Sequence, residues 1–547
     1  MKPIFFVCLF SLFVSNSFSQ HAHLDLSDEF HVSGKEHKDQ TIAHSIYYDN
    51  YFYTATNSGI GGHYKWAFSK LYDMKFGVSV AKFDRMMNKV AELDLRNGDK
   101  VFGPLEPQLI LLNNKLILAY FQSDNNTSFD LYLSEVDQTS LALKAPKKIY
   151  SIQQENVGIF KMESVLHAHQ IFVITSADNA RALIVCNASA STMQAIVVDA
   201  DLNIVRQDLL HTNTTGFDIS SAVLTNDGLE CLVLESDKET KIVCNNAEGK
   251  KSEMKFSQSG NLLPYSTRAD LAKDGKNIYI YASTTAADED KKNCTGLMLA
   301  QLDCSAMKLS KPLTYEFTPE QLEKVSEKGG GTKHHREYLM YNFTPDLMEL
   351  GNGSLVILGC PEQVTNSSHM SAPNMNNQSH MVSTTTFEIG PVLAFFLNPA
   401  GKTVELAVVP RSISTSRSAS SGTGSIQWVQ SPSIVRSYAN FSASRLGDEI
   451  VIIYNDTEKN LARSEDDKVA AAKSTGDLVL AEALINKDKK LEYRKEIGED
   501  MKGRYTYFLG NTVPTSSASI VFPVAKQGEG FNSNKLFFSH WCFLSVR

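Results

Sequence analysis

Apolar and polar positions alternate with a period of two through most of this chain, in short runs divided by turn residues. That pattern reads as strands. A unit recurs along it: two apolar segments flank a turn made of Asn113-Asn114, Asn226-Asp227-Gly228, Asp274-Gly275, Asn352-Gly353 or Gly447-Asp448. Asn and Gly accept the positive φ that a tight hairpin demands. Strands are predicted directly after these turns, at 115–121, 229–234, 277–282, 354–358 and 449–454. A third strand then runs into Asp or Asn: 76–83 into Asp84, 129–136 into Asp137, 195–200 into Asp201, 297–302 into Asp303, 392–397 into Asn398 and 478–485 into Asn486. A weaker copy at 241–244 runs into Asn245-Asn246, and a more polar strand generally follows each third strand.

The early copies lie 45 to 64 residues apart, room for four strands and their loops. The predicted fold is all-β, a β-propeller with loop insertions and one short helix. Seven third strands and an eighth at 536–546 favour eight blades, with seven as the alternative. The last blade needs a fourth strand, which 23–32 could supply from the other end of the chain. Two β-sandwiches are the competing fold, and they would not require both termini in one sheet. The helix signal is Thr318-Pro319-Glu320-Gln321, a capping box with Pro in the first turn, stopped by the glycines at 329–331. Polar insertions are expected near 318–340, 365–386 and 412–431. The last two are rich in Ser, Thr and Asn, and read as long exposed loops leaving the two sides of one blade.

The N-terminus changes the picture of location. Lys2 precedes a stretch at 4–14 that is apolar except for Ser11, and Ser17-Phe18-Ser19 follows it. This reads as a cleaved export signal over 1–19, with 20–547 as a single propeller domain. Eleven residues are too few to span a bilayer, and Cys8 lacks the preceding small residue of a lipoprotein box. No later stretch is long and apolar enough to cross a membrane. The expected location is the periplasm, the cell surface or the outside.

The net formal charge is −8, with Lys and Arg dispersed, which argues against a nucleic-acid partner. Beyond the signal lie Cys186, Cys231, Cys244, Cys294, Cys304, Cys360 and Cys542, an odd and sparse set that makes no disulfide framework. If 236–239 is a hairpin turn, Cys231 falls opposite Cys244 as a non-hydrogen-bonded pair, a candidate disulfide. Cys294 and Cys304 flank one predicted strand and are too far apart to bridge.

A resemblance covers roughly 150 residues of the C-terminal third. Gly447-Asp448-Glu449-Ile450-Val451-Ile452-Ile453-Tyr454-Asn455-Asp456, then Asn460-Leu461, with Val392-Leu393-Ala394-Phe395-Phe396-Leu397-Asn398 and Gly401-Lys402 before them, resemble a secreted family of Bacteroidota. The resemblance implies an exported protein with propeller-like repeats and carries no activity.

Chemical motifs are sparse. The turns lack the flanking Ser and Trp of sialidase repeats, and Trp66, Trp428 and Trp541 are too few for a quinoprotein. WD and kelch signatures, a Gly-x-Ser-x-Gly elbow, a P-loop and His-Glu-x-x-His are all missing. Weak catalytic candidates are His334, His335 and Glu337, beside the glycines at 329–331. Adjacent imidazoles on an extended segment face opposite ways, and a solvated loop explains them equally. Weak metal candidates are His369, Met370, Met375, His380 and Met381, a set suited to copper, for which a polar loop is the plainer account. His167-Ala168-His169 reads as a hairpin turn in register with Asn113 and Asp227, and His21 and His23 as part of a tail. Asp84, Asp137, Asp201 and Asp303 could ring a cation, but Asp also ends strands by accepting turn N–H groups.

No cofactor is predicted. The leading expectation is a non-enzymatic binding or cell-envelope scaffold for a protein or glycan. One alternative is a hydrolase or lyase with a site in the propeller funnel, and another is a metal-handling protein using the Met/His loop.

Overall fold

The computed structural model describes residues 22–546, apart from 27–40, 59–76, 96–101, 154–170, 212–217, 258–261, 287–292, 329–341, 371–380, 399–403, 422–438, 464–468, 499–504, 527–539 and a few single or paired loop positions. Eight antiparallel sheets follow one another along the chain as blades of a β-propeller: blade 1 (41–94), blade 2 (102–153), blade 3 (171–211), blade 4 (218–256), blade 5 (262–316), blade 6 (346–409), blade 7 (441–496) and blade 8 (505–546 with 22–26). The fourth strand of blade 5 and the first strand of blade 8 are each split in two. A ninth, three-stranded sheet is inserted in blade 6.

The ring is held by what lies between blades. Among the described residues each neighbouring pair shares an apolar cluster. The ring closes where Val513 and Val521 of blade 8 pack on Phe52, Ala81 and Phe83 of blade 1. Second and third strands supply most of these side chains. Leu478–Ile485 and Val392–Leu397 are buried at every position, because both faces of each strand meet a neighbouring blade. That explains why third strands read as continuous apolar runs while fourth strands, on the rim, alternate with charge. Blade 8 draws on both ends of the chain: Ala22–Leu26 pairs with His540–Val546, Ala22 opposite Val546 and Leu26 opposite Cys542.

The strands expected from sequence after each turn, and the eight expected third strands, are second and third strands of their blades. Their turns carry the expected backbone: φ is positive at Asn113, Asn114, Gly228, Gly275, Gly353 and Gly447. These turns also touch around one face. Gly351 N–H donates to Gly447 O at 3.1 Å and Asn113 N–H to Asn179 O at 2.8 Å. The helix Pro319–Lys328 has the predicted capping box, with Gln321 N–H donating to Thr318 Oγ1 at 3.3 Å and Thr318 N–H to Gln321 Oε1 at 3.0 Å. A second helix, Glu458–Leu461, capped by Thr457, was not signalled by any period.

Three sequence expectations are corrected. The hairpin turn of blade 3 is built by Ser176 to Arg181 around Asn179, which has positive φ. His167-Ala168-His169 therefore precedes the first strand, and lies outside the described residues. The strand-end acceptor in blade 3 is Asp199, which takes N–H groups from Asp201 and Asn203, while Asp201 pairs with Lys115 at 2.7 Å. Most consequentially, much of 365–386 and 412–431 is strand rather than loop: Glu362–Met370, Met381–Ile389 and Ile413–Ser421 form the inserted sheet. Ser and Thr have too little apolar surface to pack a core, but a ladder that prolongs existing strands needs only paired backbone.

Candidate functional site

The first strands of blades 8, 1, 2, 3, 4 and 5 touch in turn around the ring, so they line the central channel. Between blades 1 and 2 the contact is structural: Leu109 N–H donates to His44 Nδ1 at 3.3 Å, and burial pulls the His44 pKa down to about 4. Blades 4 to 6 differ, because their first strands bring several ionisable groups to the channel wall.

A break in regular pairing begins this cluster. The first strand of blade 5, Leu262–Leu271, has a bulge between Tyr265 and Arg268, with Ser266 at φ 50°. A bulge frees backbone groups and re-aims side chains. Glu235, the last residue of a blade 4 strand, accepts the freed N–H of Thr267 at 3.3 Å, while Ser220 donates its hydroxyl to Thr267 O. Burial raises the Glu235 carboxyl above its ordinary pKa. Arg268 is exposed and donates to Ser220 O at 3.2 Å.

Two residues further along, Asp270 accepts the Tyr281 hydroxyl, and the Tyr281 hydroxyl oxygen itself accepts Leu347 N–H from blade 6 at 3.2 Å. Next to Leu347 stands Asp346. It is open to solvent, yet its carboxyl is pushed up to about 6, first by desolvation and then by the negative charge of Asp270. Asp270 is raised by burial as well, and Arg268 pulls both carboxyls the other way. Chemically this wall offers two carboxyls raised above the ordinary carboxylate range beside one fixed cation, a set able to bind a polar ligand or to move a proton.

The second feature is the inserted sheet. It prolongs the second, third and fourth strands of blade 6 beyond Gly359, Gly390 and Val409. It therefore leaves the face opposite the hairpin turns, the face on which Glu235 and Ser220 sit. Its base is anchored. Phe387, Ile389 and Ile413 are buried with Ala439, Ala472 and Leu478. The wholly buried Arg411 donates to Gly390 O and Asn440 O at 3.3 Å each. Beside it the buried Asp456 accepts from Asn460 Nδ2 and Thr457 N–H at 2.7 Å, and desolvation pushes its carboxyl up to about 7. The outer half is open: Thr365 to Met370 are exposed at every position, so both faces of that edge strand meet water. By register and two-residue alternation, Thr365, Thr386 and Ser416 share one face with Ser367 and Thr384, and the Thr386 and Ser416 hydroxyls lie 2.8 Å apart.

Of the residues singled out from sequence, His334, His335 and Glu337 lie outside the described residues, as do Met375 and His380. His369 and Met370 stand at the tip of the inserted sheet, where Met370 is the register partner of Met381. Among the described residues no three His, Cys, Asp or Glu side chains gather as a metal-binding group. The strand-end carboxylates act within their own turns: Asp137 accepts from Thr139 and Ser140, Asp303 from Ser305 and Ala306, and Asp84 from Asn88. A cleft of about 520 Å³ lies elsewhere, between blades 4 and 5, where Lys255, Lys308 and Lys311 surround Met254 and Met307. The channel group was missed, although Arg268 and Asp270 interrupt an apolar run just before a recognised turn.

Fold and site together define an eight-bladed β-propeller with an ionisable channel wall and an outward polar sheet. Among the described residues, no helix is long and apolar enough to cross a membrane. No family model and no curated protein matches the chain. Solved structures do match, at low similarity. A protein from Lactobacillus plantarum is 9% identical, with 79% of this chain and 93% of that one covered and a TM-score of 0.34. The WD40 domain of SCAP from fission yeast is 8% identical, with 86% and 92% covered and a TM-score of 0.37. The periplasmic gluconolactonase PpgL of Pseudomonas aeruginosa is 11% identical, with 67% and 85% covered and a TM-score of 0.32. Likeness at this level transfers neither activity nor ligand.

Proposed function

We propose that this chain is an exported binding protein of the cell envelope, holding a polar ligand, glycan or protein, on the face that bears the inserted sheet. One observation carries the reading: the edge strand of that sheet is exposed on both faces over Thr365 to Met370, and among the described residues the sheet's buried side chains lie at its base. A sheet without a core to bury is retained at the cost of its ordering entropy. A row of hydroxyls and amides, with an open strand edge beside it, offers hydrogen bonds to sugar hydroxyls or to a peptide backbone. The leader at 1–19 supports an address outside the cytoplasm. The experiment is a glycan array and an envelope-protein overlay probed with the mature chain and with a variant in which 366–385 is replaced by Asn-Gly. Binding by the first and not by the second is the expected result. Equal binding by both would place the ligand elsewhere.

A second reading has its own support. Asp270 and Asp346, raised in pKa beside Arg268, are suited to acid–base work in the funnel, as a hydrolase or lyase would need. It calls for turnover that is lost in Asp346→Asn while the fold is kept. Binding that survives this substitution, with no turnover of any screened ester, lactone or glycoside, would remove it.

A further inference from the structure

Blade 4 carries two cysteines that neither reading uses. Cys231 and Cys244 are direct register partners on adjacent antiparallel strands, and neither has any solvent exposure. The turn joining those strands closes with Ser236 N–H donating to Glu239 O at 3.0 Å. Counting outward from that hydrogen-bonded pair, Cys231 and Cys244 form a non-hydrogen-bonded pair, the arrangement in which facing Cα atoms come to about 4.5 Å. A disulfide accepts Cα separations from about 4.4 Å upward. The flanking pairs, Val233 with Ile242 and Glu230 with Asn245, are in regular register, so no backbone shift is needed. Both thiols are reduced in the structure and in contact with each other.

We propose that Cys231 and Cys244 form a cross-strand disulfide that staples the central hairpin of blade 4. The reaction is exchange with an external disulfide, such as glutathione disulfide or the disulfide of a thiol oxidoreductase. One cysteine thiolate attacks the donor and releases one donor thiol. The second then displaces the other donor thiol from the mixed disulfide. Two S–H bonds are lost, one S–S bond forms, and the donor's S–S bond is reduced to two thiols. The neighbouring Cys244 thiol and burial push Cys231 well above its ordinary pKa, so the exchange belongs to folding, before blade 5 covers the pair. Once covered, the bridge is shut away from reductants. Cys304, half-buried nearby, is the competing thiol.

The test is refolding of the full mature chain from its reduced, unfolded state in a reduced/oxidised glutathione buffer. N-ethylmaleimide in denaturant then traps free thiols. Trypsin cuts between the cysteines at Lys238 and Lys241. The expected product is the Cys231 peptide linked to the Cys244 peptide, 2 mass units (roughly) below their sum because two hydrogens are lost, with the linkage kept in Cys304→Ser. Three results would overturn the proposal: maleimide on both cysteines, a link from either one to Cys304, or no more linkage than in the same chain held unfolded in that buffer. The buffer supplies the oxidant, so the outcome does not depend on export or on the ligand.

Discussion

The junction between blades 2 and 3 and the region from blade 4 to blade 7 are built from the same repeat and do different things with it. Between blades 2 and 3 the repeat is plain. Ile117, Leu131 and Leu133 meet Ile184, Ile196 and Val198, aliphatic against aliphatic and without exposure. From blade 4 onward the ring keeps its apolar junctions but departs from the repeat in two places. The first strand of blade 5, bulged like those of blades 1, 2 and 4, carries the charged Arg268 and Asp270 to the channel beside Asp346, and blade 6 sends three strands beyond the ring. The plain junction shows what closure requires. Whatever exceeds that requirement is where function is to be sought.

The sharpest way to break this contrast is at the plain junction. Ile184→Ala should cost about 3 kcal/mol, because the fully enclosed site leaves a cavity. Urea unfolding measures it, and a loss under 1 kcal/mol, roughly the cost of a surface change, would mean the junction is not the support claimed. Removing 366–385 should by contrast cost less than about 1 kcal/mol, since the exposed strands bury little. A large loss of thermal stability in that variant would tie the inserted sheet to the ring and remove the distinction.

A subtler test uses charge. Asp346 at about 6 and Asp456 at about 7 both lie above the ordinary carboxyl value of 3.8. A carboxyl raised by folding binds more protons folded than unfolded, so its effect on stability is most favourable at low pH and is lost as pH rises from about 4 to 7. Asp456→Asn should flatten that fall by on the order of 1 kcal/mol between pH 5 and 7.5, read from urea midpoints at the two pH values. An unchanged slope would mean that Arg411 and Arg494, which pull the other way, already balance the charge. The smallest expected effect is at a turn. Gly353 has φ +80° and open space where a Cβ would sit, so Gly353→Ala should cost only the backbone strain, about 1 kcal/mol.

The ring was legible because its signals are local. Asn113-Asn114 and Gly447-Asp448 announce hairpins through positive φ, and third strands buried on both faces are unbroken apolar runs. The inserted sheet was misread for a physical reason: Thr384, Thr385 and Thr386 have strand propensity, but a strand that buries nothing has no apolar alternation to reveal it. The channel group was hidden by distance in sequence. Glu235, Asp270 and Asp346 lie in three blades, and only the packing of neighbouring blades brings them together. Asn179 was missed because Ala177-Asp178-Asn179-Ala180 lacks the glycine that marks most of the other turns.

The most direct measurement of the central claim is a paired one, on the mature chain and on the variant lacking 366–385: thermal unfolding together with binding to a glycan array and envelope proteins. The account predicts near-equal melting temperatures, with binding present in the first and gone in the second. A variant that melts normally and still binds, or a mature chain that binds nothing while Asp346→Asn abolishes a measurable turnover, would contradict it.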